Sequence, residues 1–330
     1  MAKRVLITGA AGFLGRYLVA ECLGAGYQVR ALVRQPNPAS LAPHSGQVEQ
    51  VVGDILLPET LEEALEGTDY VVHAAALVAF SKTDRYRLLE VNRQGTAHVV
   101  NAALAAGTRK LVYISSIAAL GRPARPDEPI TEALPWAPSP YNTDYGYSKQ
   151  LGEREVLRGV EEGLPAVIAN PTLILGPTDW RRGTGRLFSR AKRGLRVYPT
   201  GSNGFTGVWD VARAARLLLE SNYSAGERFI VCAENLSFHD FFATVARAVG
   251  GRPPRWPLSP QLAYGLGVGF EALERLTGLP ALLTRATART SAHPTRFDNR
   301  KLVEALGFAY EPIDSVIAKT AAAFLADTQR

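Results

Sequence analysis

Arg4-Val5-Leu6-Ile7-Thr8-Gly9-Ala10-Ala11-Gly12-Phe13-Leu14-Gly15 joins an apolar run to three glycines spaced G-x-x-G-x-x-G, and then to a segment of helical period. Between a strand and a helix, glycines permit a tight turn and close backbone approach to a ligand, and a helix N-terminus attracts a pyrophosphate. The stretch therefore predicts a dinucleotide site on Gly9, Gly12, Phe13, Leu14 and Gly15. Its spacing departs from the G-x-G-x-x-G fingerprint; without the flanking strand and helix, the glycines would be a structural turn.

Working outward, the same alternation continues. Short apolar runs at 4–8, 28–33, 48–52, 70–73, 110–115 and 166–169 alternate with helical segments at 12–23, 61–66, 86–106 and 145–162. Such runs read as strands buried on both faces, and the order reads as an α/β Rossmann-type doubly wound parallel sheet. After Pro171 the texture changes to Gly/Pro/Arg-rich loops at 176–177, 181–183 and 201–204. A helix at 208–220 and a strand at 228–231 return to the sheet, Ser237 caps a helix over 237–249, and the chain from 259 onward is mostly helical. The expected division is a cofactor-binding Rossmann domain (1–170 and 207–232) and a smaller, mostly helical C-terminal substrate lobe (171–206 and 233–330).

The 330 residues, 46% hydrophobic, suffice for such a core. Net charge is +6 and the pI about 9.4, but the cations are scattered with no dense basic tract, so no nucleic-acid partner is expected. Cys22 and Cys232 stand far apart without the Cys/His spacing of a metal site, so no metal is expected, and a reducing, cytoplasmic location fits. Glycines interrupt the apolar run after Lys3-Arg4, which makes it a buried strand rather than a signal segment. The most apolar late segment, 262–283, is broken by Glu271, Glu274 and Arg275. It reads as a pair of core or interface helices, with no membrane insertion.

The residue ending the second strand selects the cofactor: an acid there binds the ribose 2′-OH, whereas an arginine accommodates a 2′-phosphate. That residue is Arg34, and no Asp or Glu occurs between Glu21 and Glu49. NADP(H) is favoured, with NAD(H) as the alternative; an ordinary surface arginine is the other reading of Arg34.

The chemistry sits in Tyr145-Gly146-Tyr147-Ser148-Lys149 with Ser115-Ser116 upstream. Tyr145 and Lys149, four apart, share a helix face. A neighbouring ammonium is expected to lower the phenol pKa, so that Tyr145 exchanges a proton with a carbonyl or alcohol. Ser116, at the C-terminal end of a strand, lies where a hydroxyl can bind the same oxygen.

These residues resemble the short-chain dehydrogenase/reductase family, in its extended branch of NAD-dependent epimerases/dehydratases, 3β-hydroxysteroid dehydrogenases and dihydroflavonol reductases. The resemblance implies Ser116, Tyr145 and Lys149 as the catalytic set, with Ser116 chosen over Ser115 because it lies five residues before Gly121. It also implies cofactor contacts from Asp54, Ile55, Ala74, Ala75, Asn92 and Ser115, from Tyr145 and Lys149 themselves, and from Pro171 and Thr172 within 170–177. His73 is either part of that loop or a satisfied histidine at a strand end. Asn92 either organises a catalytic water or bridges within its helix.

Sugar epimerases of this branch commonly carry an Arg and a Tyr where this chain has Val167-Ile168-Ala169 and Leu175. The better resemblance is therefore to dihydroflavonol-reductase-like enzymes, which implies an NADP(H)-dependent oxidoreductase acting on a small-molecule carbonyl or alcohol. The alternatives are a nucleotide-sugar epimerase/dehydratase with tightly bound NAD, and a non-catalytic NADP-sensing protein. Val78, Phe80, Leu120, Trp180, Leu187, Phe205 and Trp209 are expected to line a hydrophobic pocket or else to be core. Arg181, Arg182 and Arg186 either hold an anion such as a diphosphate or acyl-CoA, or are exposed and idle. A homodimer through 96–106 and 145–158 follows from the resemblance, although the small residues there also suit an intrachain core.

Overall fold

Residues Val5 to Thr8 are all buried, as expected of a strand covered on both faces, and they form most of the interior strand β1 (Arg4–Thr8) of a seven-stranded sheet. In the computed structural model, which describes residues 3–36, 41, 44–123, 125, 128–277 and 283–328, the chain continues through α1 (Phe13–Gly24), β2 (Gln28–Val33), β3 (Val48–Val52), α2 (Pro58–Leu65), β4 (Tyr70–His73) and α3 (Arg85–Leu89). A π-helical turn (Glu90–Gln94) leads into α4 (Gly95–Ala105), β5 (Lys110–Ile114), α5 (Asp144–Glu161) and β6 (Ala166–Pro171). Then follow β7 (Leu173–Leu175), α6 (Gly185–Lys192), β8 (Val197–Pro199), β9 (Ser202–Gly207), α7 (Val208–Glu220), β10 (Ala225–Val231), β11 (Glu234–Ser237), α8 (Phe238–Ala248) and β12 (Trp256–Leu258). The described chain ends with α9 (Pro260–Thr277), α10 (Arg285–Ala292), α11 (Arg300–Leu306) and α12 (Ile313–Thr328).

The main sheet has the order β10-β6-β5-β4-β1-β2-β3, parallel throughout. One apolar layer gathers Leu18, Val19 and Cys22 of α1 with Val211, Ala215 and Leu218 of α7. The opposite layer gathers Leu61 and Leu65 of α2, Val99 and Ala103 of α4 and Val156 of α5. The doubly wound expectation is met.

A second core joins α6, α8 and α12 around Phe188, Phe205, Phe241, Val316 and Phe324. It is roofed by a small sheet of order β11-β9-β7. The strands β7, β8, β9, β11 and β12 lie where only loops or helix are expected from the sequence; their glycines, such as Gly204 packed under Cys232 and Phe297, read as punctuation because the packing that needs them is long-range. One C-terminal element departs from the expected division: Leu302 of α11 and the following Phe308 pack into the Rossmann core.

Three further expectations change. The helix expected at 86–106 is interrupted by the π turn at Glu90–Gln94. Helix α2 begins at Pro58 rather than 61, because a proline suits the first helical position. The segment 262–283, expected as a pair of core or interface helices, holds one helix among the described residues: α9 ends at Thr277 with Leu262, Leu266, Leu273 and Leu276 exposed and so outside the core, and the part at 278–282 lies outside the described residues. No helix among the described residues is long and apolar enough to cross a membrane.

The small residues of α5 are spent within the chain. A Cβ at Gly159 would strike Val100, and one at Gly152 would strike the Tyr113 hydroxyl and the Asn92 carbonyl. On the outside, Arg93–Glu155, Arg158–Glu155 and Arg158–Glu162 ion pairs make the α4/α5 surface polar.

Candidate active site

Strand order reverses between β1 and β4, and ligands of open α/β sheets bind in the crevice at such a point. Gly9 lies there with φ +71°, and a Cβ on it would sit 2.7 Å from the Ala75 nitrogen. Only glycine lets the loops after β1 and β4 meet backbone to backbone. Gly15 is pressed against the Gly9 carbonyl in the same way. Gly12 is the N-cap of α1, which has no side-chain cap and no acid in its first turn. A cradle that a Cβ would fill, beside an uncapped helix N-terminus, fits a dinucleotide pyrophosphate.

Phe13 and Leu14 open α1, and Phe13 lies under Gly176 while Tyr17 donates to the Pro177 carbonyl at 2.9 Å. The 170–177 segment is thereby brought against the glycine loop. Pro171 ends β6, and the Thr172 hydroxyl is committed to the Val231 carbonyl at 3.1 Å. Asp54 Oδ1 accepts from the Leu56 N–H at 3.0 Å, which fixes the turn carrying the buried Ile55. Arg34 follows β2 directly, exposed, with no ion pair among the described residues. Arg30 of the same strand, by contrast, is engaged by Glu49 and by carbonyls ending α2.

His73 is a satisfied histidine: its ring nitrogens lie 2.7 Å from Thr8 Oγ1 and 3.0 Å from Thr96 Oγ1. Burial, with the Lys149 charge adding to it, lowers its pKa to about 3, so the ring is neutral. Thr8 Oγ1 also accepts from the Ala75 N–H at 3.1 Å, next to Ala74. Asn92 is a bridge. Its amide accepts from the Leu77 N–H at 2.8 Å and donates to the Leu77 carbonyl and the Ser148 hydroxyl, both at 2.9 Å. The π turn puts this side chain between the β4 loop and α5, a placement that 3.6-residue periodicity does not foresee.

Ser116, Tyr145 and Lys149 converge at the C-terminal end of β5. Ser116 caps a short turn, its hydroxyl accepting from the Ala118 N–H at 3.2 Å, and it stands close enough to Tyr145 to act on the phenol. The hydroxyl of Ser115 instead donates to Glu153 Oε1 at 2.6 Å and is withdrawn from the crevice. Helix α5 starts one residue before Tyr145 because Thr143 Oγ1 accepts from the Gly146 N–H at 2.9 Å and Asp144 occupies the first turn.

The electrostatics correct one expectation. Burial pushes the Tyr145 phenol up, with Ser116 working against it, and Lys149 does not pull it down. The Lys149 ammonium instead donates to the Ile114 carbonyl at 2.8 Å and lies 4.2 Å from the Tyr113 ring centre. Burial lowers its pKa to about 7, with Glu153 opposing the fall.

Glu153 and Asn170 are site-adjacent residues that motif reading passes over. Asn170 Nδ2 donates to Glu153 Oε1 at 2.6 Å and to the Ser116 carbonyl at 3.0 Å. The available signal is periodic: Lys149, Gly152, Glu153 and Val156 fall on the one buried face of α5, where a carboxylate is unexpected.

Residues 5–232 match the NAD dependent epimerase/dehydratase family. The chain belongs to this family. Sterol demethylase protein B of Methylococcus capsulatus is 32% identical over 89% of this chain and 88% of its own length. The 2-alkyl-3-oxoalkanoate reductase of Stenotrophomonas maltophilia is 31% identical over 88% and 90%. The crystal structure of gox2253 superposes with a TM-score of 0.84, at 31% identity over 98% of both chains. This epimerase/dehydratase family member is thus a nicotinamide-dependent enzyme of the extended short-chain dehydrogenase/reductase type.

In the family member described here, the expected pocket wall divides. Phe80, half exposed, meets the Tyr145 ring edge-on at 5.9 Å, and Val78 beside it is exposed. Phe205 is fully buried and stacked on Phe241, and Leu120 is buried beside Ile130 and Phe297. Trp180 packs on Phe324 and donates to Asp327, Leu187 packs on the same core, and Trp209 meets Tyr17. These five are packing residues, since aromatic and aliphatic side chains serve cores and clefts alike. Arg181 and Arg182 are exposed and paired with Asp179, and Arg186 stands on α6 near Arg190. The sequence reading missed Arg122, partly buried after the Ser116 turn and with no ion pair among the described residues; its charge is felt at His293, whose ring stacks on Tyr141 at 4.6 Å.

Proposed function

We propose that this enzyme is an NADP(H)-dependent oxidoreductase that interconverts a carbonyl and an alcohol. The observation that carries the reading is the meeting of the Ser116 hydroxyl, the Tyr145 phenol and the Lys149 ammonium at one strand end, beside the glycine cradle. When bound, the nicotinamide supplies or accepts the hydride. Gly9, Gly12 and Gly15 with the first turn of α1 would hold the pyrophosphate, and Arg34 the 2′-phosphate.

A phenol pushed up by burial is neutral near pH 7 and is the correct form to donate a proton as the carbonyl oxygen gains charge. Ser116 donates to that same oxygen. Lys149, one turn along α5, would hold the nicotinamide ribose. The described residues of 171–206 and 233–330, apart from α11 and Phe308, would join Val78, Phe80 and Arg122 on the substrate side.

Phe80 and Val78 favour an apolar substrate body, and the unpaired Arg122 favours an anionic group on it. The relative named a 2-alkyl-3-oxoalkanoate reductase has, by that name, a ketone near a carboxylate, which supports a 3-oxo acid for this chain too. Fluorescence titration with NADPH and NADH, followed by NADPH consumption over ketones, aldehydes and 3-oxo acids, tests the proposal. Tighter NADPH binding and net consumption are expected; NAD retained on purification with no net consumption would overturn it.

A further inference from the structure

Two charged side chains occupy core positions on α5, Lys149 at 1% exposure and Glu153 at 0%. The chemistry proposed above uses Lys149 and has no step for Glu153. A buried carboxylate is destabilising unless it is paired and hydrogen-bonded, and three strands meet at this one. Ser115 at the end of β5 and Asn170 on β6 each donate to Oε1 at 2.6 Å. Arg228 Nε on β10 lies 3.0 Å from Oε2. The Asn170 amide that binds Glu153 also binds the Ser116 carbonyl at 3.0 Å, so the carboxylate and the Ser116 backbone are held by one group.

The groups facing Lys149 come from several elements. His73 on β4 is neutral, Tyr113 on β5 is pushed up by burial and is neutral, and Tyr145 on α5 is a neutral phenol. Arg228 stands behind Glu153 and carries the same sign as Lys149. Among the described residues Glu153 is therefore the one carboxyl group acting on Lys149; burial pushes its own pKa up, and Arg228, Ser115, Asn170 and Lys149 oppose that rise.

We propose that Glu153 is a positioning residue, which keeps Lys149 a cation inside the apolar interior and, through Ser115 and Asn170, fixes the backbone that presents Ser116 to Tyr145. It touches neither substrate nor cofactor and acts through these neighbours. The part concerning Ser116 rests on the carbonyl-reduction reading; the part concerning the Lys149 charge does not.

Glu153→Gln keeps the shape and removes the charge. In cofactor-free protein labelled with ¹³Cε-lysine, the Lys149 titration midpoint, assigned with Lys149→Met, should fall by at least about one pH unit in this variant. NADPH binding should weaken several-fold near pH 8 and approach the parent value towards pH 5. With a turned-over carbonyl substrate, the basic limb of the kcat profile should move down by the same amount, whereas a purely structural role would scale kcat equally at every pH. An unmoved Lys149 midpoint overturns the proposal. Where the single variant does not fold, Glu153→Gln with Arg228→Gln leaves no unpaired guanidinium; a smaller fall of the midpoint is expected, and a constant or raised one overturns the proposal. A midpoint that falls in a protein that turns over no carbonyl compound would keep the charge role and sink the oxidoreductase reading instead.

Discussion

The Lys149 ammonium is tethered to the Ile114 carbonyl at 2.8 Å, so the cation of α5 is anchored to the strand that delivers Ser116. Motion of α5 relative to β5 would stretch this hydrogen bond before it could separate Tyr145 from Ser116. The arrangement holds the Tyr145 phenol and the Ser116 hydroxyl as one unit.

Tyr145→Phe removes the phenol and keeps the ring packed against Phe80. NADPH affinity should stay within about twofold and turnover fall by roughly 10²- to 10⁴-fold, the range for loss of a general acid. Fluorescence titration and NADPH oxidation measure the two; turnover near the parent level would remove Tyr145 from the mechanism.

Arg34→Asp places an acid where the unpaired arginine follows β2. A charge-assisted hydrogen bond contributes about 1.5–3 kcal/mol, so NADPH binding should weaken by roughly 10- to 100-fold, while NADH binding holds or improves. Equal loss for both cofactors would mean that Arg34 does not read the 2′-phosphate.

Arg122→Met tests the anionic group. The KM for a 3-oxo acid should rise about tenfold or more, with little change for an uncharged ketone of similar size. Parallel changes for both substrates would assign Arg122 to packing.

Asn92→Leu leaves the Leu77 backbone and the Ser148 hydroxyl without their amide partner. Each buried group so orphaned costs about 1–3 kcal/mol, and urea denaturation should show a loss of at least about 2 kcal/mol. A loss well under this would mean that water replaces the amide.

His73 titrates near 6.5 when unfolded and at about 3 when folded. A depressed folded pKa contributes stability that is present above pH 6.5 and lost as pH falls towards 3. Between pH 6.5 and 5 the loss is about 2 kcal/mol, at 1.36 kcal/mol per unit. His73→Gln lacks this titration, so its denaturation midpoint should fall less than that of the parent protein between pH 7 and 5; equal slopes would show that His73 is protonated in the fold.

The Rossmann sheet is legible in the sequence because its signals are local. A both-faces-buried strand such as Val5 to Thr8 is a continuous apolar run, and a glycine forced to positive φ at Gly9 stands out in composition. The Tyr145/Lys149 pair stands out through its helical spacing only in company with Ser115-Ser116 upstream and the glycine loop; the spacing by itself reads as an exposed helical pair. What stays hidden depends on partners distant in sequence: the Lys149 bond to a backbone carbonyl, the Glu153–Arg228 pair, and the short strands β7, β8 and β9, each of which exists only against its neighbour. The same distance explains Phe80 and Phe205. Nothing local distinguishes the ring that meets Tyr145 from the ring that stacks in the second core.

The ion pair between α5 and β10 also sets an order of assembly. Ser116, Tyr145 and Lys149 all precede β6, whereas the cation opposite Glu153 comes from Arg228, on the edge strand that is added after the chain has left the sheet and returned. A nascent chain that has reached only β6 carries Ser116, Tyr145 and Lys149, yet its Glu153 carboxylate lacks the Arg228 guanidinium. Competence therefore arrives with the last strand, and a truncation before β10 would yield a complete motif on an incomplete electrostatic frame.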